Sequence, residues 1–172
     1  MKLFGIAGWS GSGKTTLVTA LLPIFTTTGF RVSTVKHAHH GFDVDQPGKD
    51  SYEHRKAGAT EVIVTSSKRW VLMHENRNEA EPPLDELVAQ LKPVDIVLIE
   101  GFKREPIDKL EVHRPELGKP LLQSNDPHIV GVASNAHLQD LPIPLLSLDD
   151  VVGIATFITT QCGLASESVS FP

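Results

Sequence analysis

Gly8-Trp9-Ser10-Gly11-Ser12-Gly13-Lys14-Thr15 stands between a short apolar run, Leu3-Phe4-Gly5-Ile6-Ala7, and a segment from Thr15 to Thr28 in which Leu17, Val18, Leu21, Leu22 and Phe25 recur at helical spacing before Gly29. Strand, glycine-rich loop and helix follow one another in the order that a phosphate-binding loop requires. Glycines at 8, 11 and 13 let the backbone turn tightly enough for successive N–H groups to converge on a polyphosphate. Lys14 adds a point charge for the outer phosphates, Thr15 a hydroxyl for Mg²⁺, and the start of the helix its partial positive charge. A chance octet of these residue types would leave both flanks unexplained. The octet, Ser10 included, is therefore read as a nucleoside-triphosphate loop. Pro23 falls inside the predicted helix, where it removes a hydrogen bond and crowds the preceding turn, so a kink or break is expected there.

At 172 residues, 40% apolar and 22% charged, the chain has the make-up of one soluble globular domain. That domain is taken as residues 1–162, and 163–172 as a flexible tail. A net charge of −5 without a Lys/Arg-rich run argues against a nucleic-acid partner. The expected setting is cytoplasmic, with no membrane contact. No apolar stretch approaches the length of a span, and the N-terminus enters the first strand without a basic-then-apolar leader. The lone cysteine, Cys162, has no internal disulfide partner and reads as a packing residue.

After the loop's helix, 30–37 reads as a second strand and 38–49 as a polar loop. Residues 50–56 read as a short helix, with Asp50 as its cap, Glu53 three residues on and Gly58 past its end. Two extended runs, 61–66 and 69–74, flank Ser67-Lys68 as a hairpin. An amphipathic helix is expected at 84–91. Pro93-Val94-Asp95-Ile96-Val97-Leu98-Ile99 is apolar enough for a strand buried on both faces of a parallel sheet. Strands at 109–113, 129–133 and 145–148 and a helix at 149–161 complete the pattern. The expected class is α/β, a three-layer sandwich with a mostly parallel central sheet and a small antiparallel hairpin.

A phosphate loop needs a second group to hold Mg²⁺ or orient water, usually a carboxylate at the end of a neighbouring strand. Glu100 ends the most apolar strand, with Gly101 after it, and a carboxylate there is costly to bury unless it faces a cation or a bound water. Asp43 and Asp45 follow the second strand, where a segment that switches with the γ-phosphate would lie. Thr15, Asp43, Asp45 and Glu100 are thus the candidate Mg²⁺ ligands. Lys36-His37-Ala38-His39-His40 is open to three readings: a transition-metal site, for which an extended segment would put His37 and His39 on one face and His40 on the other, a contact to substrate or phosphate, or plain loop. Lys49, Arg55, Lys103 and Arg104 are further charges within reach of an anion. The base is undecided: there is no Asn-Lys-x-Asp stretch, and Val132-Ala133-Ser134-Asn135 is suggestive only by position.

Taken together, Gly8 to Leu17, Lys36 to His40 with Asp43-Val44-Asp45, Pro47-Gly48-Lys49-Asp50-Ser51-Tyr52, Arg55-Lys56-Ala57-Gly58-Ala59 and Glu100-Gly101-Phe102-Lys103 resemble the MobB family of molybdopterin-guanine dinucleotide biosynthesis adapters. The resemblance implies a P-loop protein, commonly dimeric, that binds GTP and hydrolyses it slowly. It implies assistance to the nucleotidyltransferase MobA, which attaches GMP to molybdopterin. Carried over residue by residue, it puts phosphates on Gly11 to Thr16, with Lys14 and Thr15 as the central pair, and Glu100-Gly101 near the γ-phosphate. Lys36, His37, His39, His40, Lys49, Asp50 and Lys103 are candidate substrate or switch contacts. Two other functions suit the same loop: a small-molecule kinase, and a metal-insertion GTPase using the histidines.

Overall fold

The computed structural model describes residues 1–38 and 41–164; His39, His40 and most of the predicted tail lie outside the described residues. In chain order the elements are β1 (Lys2–Ala7), α1 (Lys14–Thr27), β2 (Val32–Lys36), α2 (Asp50–Ala57), β3 (Glu61–Thr65), β4 (Trp70–His74), α3 (Leu84–Ala89), β5 (Ile96–Glu100), β6 (Lys109–Val112), β7 (Ile129–Ala133), β8 (Leu145–Leu146) and α4 (Val151–Gln161). They form two units, Met1–His37 with the chain from Leu84 onward, and Ala38–Pro83.

The first unit is built on a six-stranded sheet in the order β2-β5-β1-β6-β7-β8. Every neighbouring pair in it is parallel. β5 is buried at every position, as its near-continuous apolar run predicts. Alternation along it sends Ile96 and Leu98 to one face, against Leu17, Leu21 and Phe25 of α1 and Ile154 and Ile158 of α4. Val97 and Ile99 go to the other face, against Leu84 and Val88 of α3. Helices on both faces make the three layers. Each of these buried side chains contributes about 1.5–3 kcal/mol relative to exposure, so the two faces outweigh any single polar contact at the sheet's rim. Cys162 is buried in the α1/α4 side of the core, as expected of a packing residue.

α1 runs through Pro23 without interruption, where a break had been an expected alternative. Pro23 lies on the exposed face, while Leu21 and Phe25 anchor the opposite face at 0% exposure. The lost amide bond is therefore confined to the solvent side, and the Thr27 hydroxyl donates to the Pro23 carbonyl at 2.8 Å.

The second unit holds α2 and the antiparallel hairpin of β3 and β4, paired from Glu61 opposite His74 to Thr65 opposite Trp70. The Ser66 hydroxyl oxygen accepts the Lys68 and Arg69 N–H groups and closes the turn. Gly58 caps α2 in the left-handed region, as expected. Asp50, however, is the first residue of α2 and not its cap; Lys49 holds that position in extended conformation, without a side-chain cap. Asp50 and Glu53 still place negative charge in the first turn, where the helix dipole favours it.

Candidate phosphate-binding site

The loop between β1 and α1 hangs from the C-terminal edge of the sheet, where ligands of open α/β sheets bind. Gly8 has a φ of 144°, and a Cβ there would come within 2.5 Å of the Val112 carbonyl oxygen and 2.7 Å of Ser12 Oγ. Only glycine fits between the loop and the end of β6. Gly13 leads into α1 in the left-handed conformation. Ser12 Oγ is buried and has no hydrogen-bond partner among the described residues, a donor that a phosphate oxygen would satisfy.

Lys14 extends over this loop, and its Nζ donates to the Trp9 carbonyl at 2.9 Å. Burial of the ammonium holds its pKa below the ordinary lysine value; Glu100 opposes the shift, while Lys103 and Lys36 add to it. An anion in the loop would stabilise this charge. Ser10 and Thr16 are exposed at the loop and the first turn of α1.

Strand pairing assembles the second half of the site. β5 lies between β1 and β2, with Glu100 opposite Ile6 on one side and Lys36 on the other. Glu100 is 9% exposed. Its Oε1 accepts a hydrogen bond from the Thr15 hydroxyl at 2.8 Å. Lys36 Nζ donates to Thr15 Oγ1 at 3.1 Å and lies 3.4 Å from Glu100 Oε1. Thr15 and Glu100 are hard oxygen donors, the chemistry that Mg²⁺ takes, and an ammonium already occupies their common neighbourhood. The donor set fits the ion.

Gly101 follows Glu100 with a φ of 106°, and a Cβ there would crowd the His37 carbonyl at 3.1 Å. His37 donates its N–H to the Glu100 carbonyl at 2.8 Å, and its ring lies 5.1 Å from that of Phe102. Lys103 sits 4.6 Å over the Trp9 ring, whose indole N–H donates to the Pro120 carbonyl at 2.8 Å. Lys36, His37, Gly101 and Lys103 thus belong to the same rim as the loop.

Asp43, Asp45, Lys49 and Asp50 belong to the second unit. There the Arg55 guanidinium gathers Asp43, Asp45 and Glu75 at 2.8, 2.6 and 2.8 Å. The hydrogen bond from Arg55 holds the Asp45 pKa below the usual carboxylate range and raises that of Arg55. Lys49 and Asp50 line a cavity of about 590 Å³ there, with Asp45, His54 and Val62 among its other walls. His39 and His40 lie outside the described residues. Among the described residues, no three His, Cys, Asp or Glu side chains are grouped as a metal site.

One residue at the loop escapes a reading of the sequence. Arg114, just beyond β6, donates from Nε to the Ser12 carbonyl at 3.0 Å and brings a guanidinium to the loop. Its sequence signal is weak, an arginine two residues past a strand, and it gains meaning only because β6 pairs with β1.

A parallel sheet whose first strand enters a glycine-rich loop and helix, with a carboxylate from the adjoining strand on the helix's first hydroxyl, defines a P-loop NTPase fold. The family model described as "Molybdopterin guanine dinucleotide synthesis protein B", MobB, matches residues 3–135. The chain belongs to this MobB family. It is 45% identical over 161 residues to the molybdopterin-guanine dinucleotide biosynthesis adapter protein of Escherichia coli (strain K12), covering 92% of this chain and 91% of that protein. The protein of the same name from Haemophilus influenzae is 42% identical over 160 residues, covering 92% and 88%. A crystal structure of molybdopterin-guanine biosynthesis protein B superposes with a TM-score of 0.72 at 27% identity, over 92% of this chain and 99% of that one.

Proposed function

We propose that this protein is a GTP-binding adapter in molybdenum cofactor biosynthesis, which assists the guanylyltransferase MobA in forming the molybdopterin guanine dinucleotide. The observation that carries the nucleotide half is the meeting of Thr15, Glu100 and Lys36 beside the loop. The Ser12 hydroxyl, Lys14 and the N-terminus of α1 bind phosphates, and Gly8, Ser10, Gly11, Gly13 and Thr16 complete the cradle. Thr15 and Glu100 would hold Mg²⁺, which supplies Lewis-acid neutralisation of the phosphate charge. Glu100 also fixes the Thr15 hydroxyl in direction, and Lys14 holds its proton against the outer phosphates.

Hydrolysis is slow on this reading. Lys14 and Lys36 can neutralise charge, while Arg114 gives its Nε–H to the Ser12 carbonyl of the loop and so is only partly available to a departing phosphate. The names of the relatives and the family supply the molybdopterin half. The family resemblance also carries the homodimer, the cytoplasmic setting and the contact with molybdopterin. The test is direct: purified protein with GTP, presented to MobA, should be retained by it and should increase formation of the dinucleotide cofactor. Formation unaffected by the protein, with no complex detected, would remove the adapter role.

A further inference from the structure

The sheet's C-terminal edge carries a second polar hollow that the phosphate site does not use. At the ends of β7 and β8 lies an open cavity of about 300 Å³, bordered by Ser134, Asn135, His137, Leu145, Ser147 and Asp149. Because every strand of this sheet is parallel, the cavity and the phosphate loop lie along one edge. With the order β1-β6-β7-β8, the cavity is two to three strand positions from β1. At ordinary strand spacing that is about 10–14 Å. A ribose and the inner phosphates bridge such a gap when the outer phosphates are held in the loop.

The cavity's polar groups are organised. Asn135 Oδ1 accepts the Leu148 N–H at 2.9 Å, which sets the direction of its amide. Its Nδ2 then donates to Asp149 Oδ1 at 3.0 Å. Asp149 is steadied further by its own N–H, which donates to Ser147 Oγ at 3.2 Å. No ion pair involves its carboxylate among the described residues, and the N-capping of α4 falls to Asp150 instead. A carboxylate is thus oriented by Asn135 and Ser147 at the rim of a hollow with room for a purine.

From this arrangement we propose that the β7/β8 cavity receives the nucleotide's base and that Asp149, oriented by Asn135, selects guanine. The inference rests on the GTP reading and names the residue behind its base preference. Guanine presents two adjacent donors on one edge, N1–H and the 2-amino group, which a carboxylate accepts together. Adenine presents a lone-pair acceptor at N1, which a carboxylate repels. Hypoxanthine keeps N1–H and lacks the amino group. Xanthine puts a carbonyl where the amino group was, facing negative charge with negative charge. The expected order of affinity is therefore GTP, then ITP, then ATP and XTP.

The experiment is a calorimetric panel of GTP, ITP, XTP, ATP and inorganic tripolyphosphate with Mg²⁺, on the wild type, Asp149→Ala and Asp149→Asn. Loss of a charged hydrogen bond predicts a roughly ten- to hundredfold fall in GTP affinity in both variants. Asp149→Asn should also gain affinity for XTP, since its amide can donate to the new carbonyl. Tripolyphosphate binding should not change, which reports an intact fold and loop. Asp149 variants that keep the wild-type order of bases, with GTP still favoured, would overturn the base assignment and leave the GTP reading standing. A wild type that binds tripolyphosphate as tightly as GTP, and all bases alike, would overturn both.

Discussion

The Thr15 hydroxyl and the Glu100 carboxylate, 85 residues apart in the chain, meet at 2.8 Å where β5 ends beside the first turn of α1. A buried carboxylate is held there by one hydroxyl and one ammonium, that of Lys36. A charge-assisted hydrogen bond of this kind contributes about 1.5–3 kcal/mol net, while leaving a buried charge without a partner costs more. The Glu100 carboxylate is therefore supported on two sides, by the Thr15 hydroxyl and the Lys36 ammonium.

Glu100→Gln keeps the shape of the side chain and its hydrogen bond to Thr15 but removes the charge. Nucleotide affinity should stay within a few-fold of wild type, while Mg²⁺-dependent hydrolysis should fall about tenfold or more. Single-turnover assays with and without Mg²⁺ measure this, and unchanged turnover would take Glu100 out of the site.

Lys36→Met removes the ammonium that shares Thr15 and Glu100 with any incoming metal. Metal affinity in the presence of GDP should rise several-fold, because the ion no longer displaces a lysine. Titration with Mn²⁺ followed by electron paramagnetic resonance reads it; weaker Mn²⁺ binding would make Lys36 a supporter of the metal site and not its competitor.

Lys14→Ala should abolish measurable triphosphate binding and leave the melting temperature nearly unchanged. The Lys14 ammonium is only partly buried, and its hydrogen bond is to the loop's own Trp9 carbonyl, so the core does not depend on it. Loss of folding in this variant would contradict the assignment.

Away from the site, Arg31 pairs with Asp95 at 3.0 Å and also donates its backbone N–H to it at 2.8 Å, joining the starts of β2 and β5. The side-chain hydrogen bond from Arg31 lowers the Asp95 pKa below its ordinary 3.8. A carboxylate with a depressed folded-state pKa adds stability that is complete above its unfolded pKa and disappears as the pH falls through the folded one. Wild type should therefore melt above Asp95→Asn at neutral pH, and the gap should close progressively below about pH 3.8. A gap independent of pH would show that charge is not what Asp95 contributes.

What the sequence reveals, and what it hides, divides by range. The loop from Gly8 to Thr15 and the apolar run ending at Glu100 are local signals; the loop stands where its pattern places it, and β5 takes the end of its run, Ile96–Glu100, leaving Pro93 to Asp95 outside the strand. Gly58 is legible for the same reason, since a left-handed cap needs only its own residue. Pro23 misleads because propensity speaks for the chain and not for the face: on the solvent side of α1 the missing amide is tolerated. Asp50 misleads by one position, within the ordinary slack of helix ends. Arg114 is invisible because its role needs β6 beside β1, a pairing that no stretch of sequence announces. Lys36 is legible as a charge near the site, but its contact with Thr15 depends on β2 lying against β5. Asn135 and Asp149 join only when β7 pairs with β8.

Calorimetric titration of the wild-type protein with GTP and with ATP, each with and without Mg²⁺, shows whether the loop, Thr15 and Glu100 serve a guanine nucleotide. The expected result is saturable GTP binding that Mg²⁺ strengthens, with ATP at least tenfold weaker, a difference of about 1.4 kcal/mol. Equal affinity for the two nucleotides, or a preference for ATP, would contradict it.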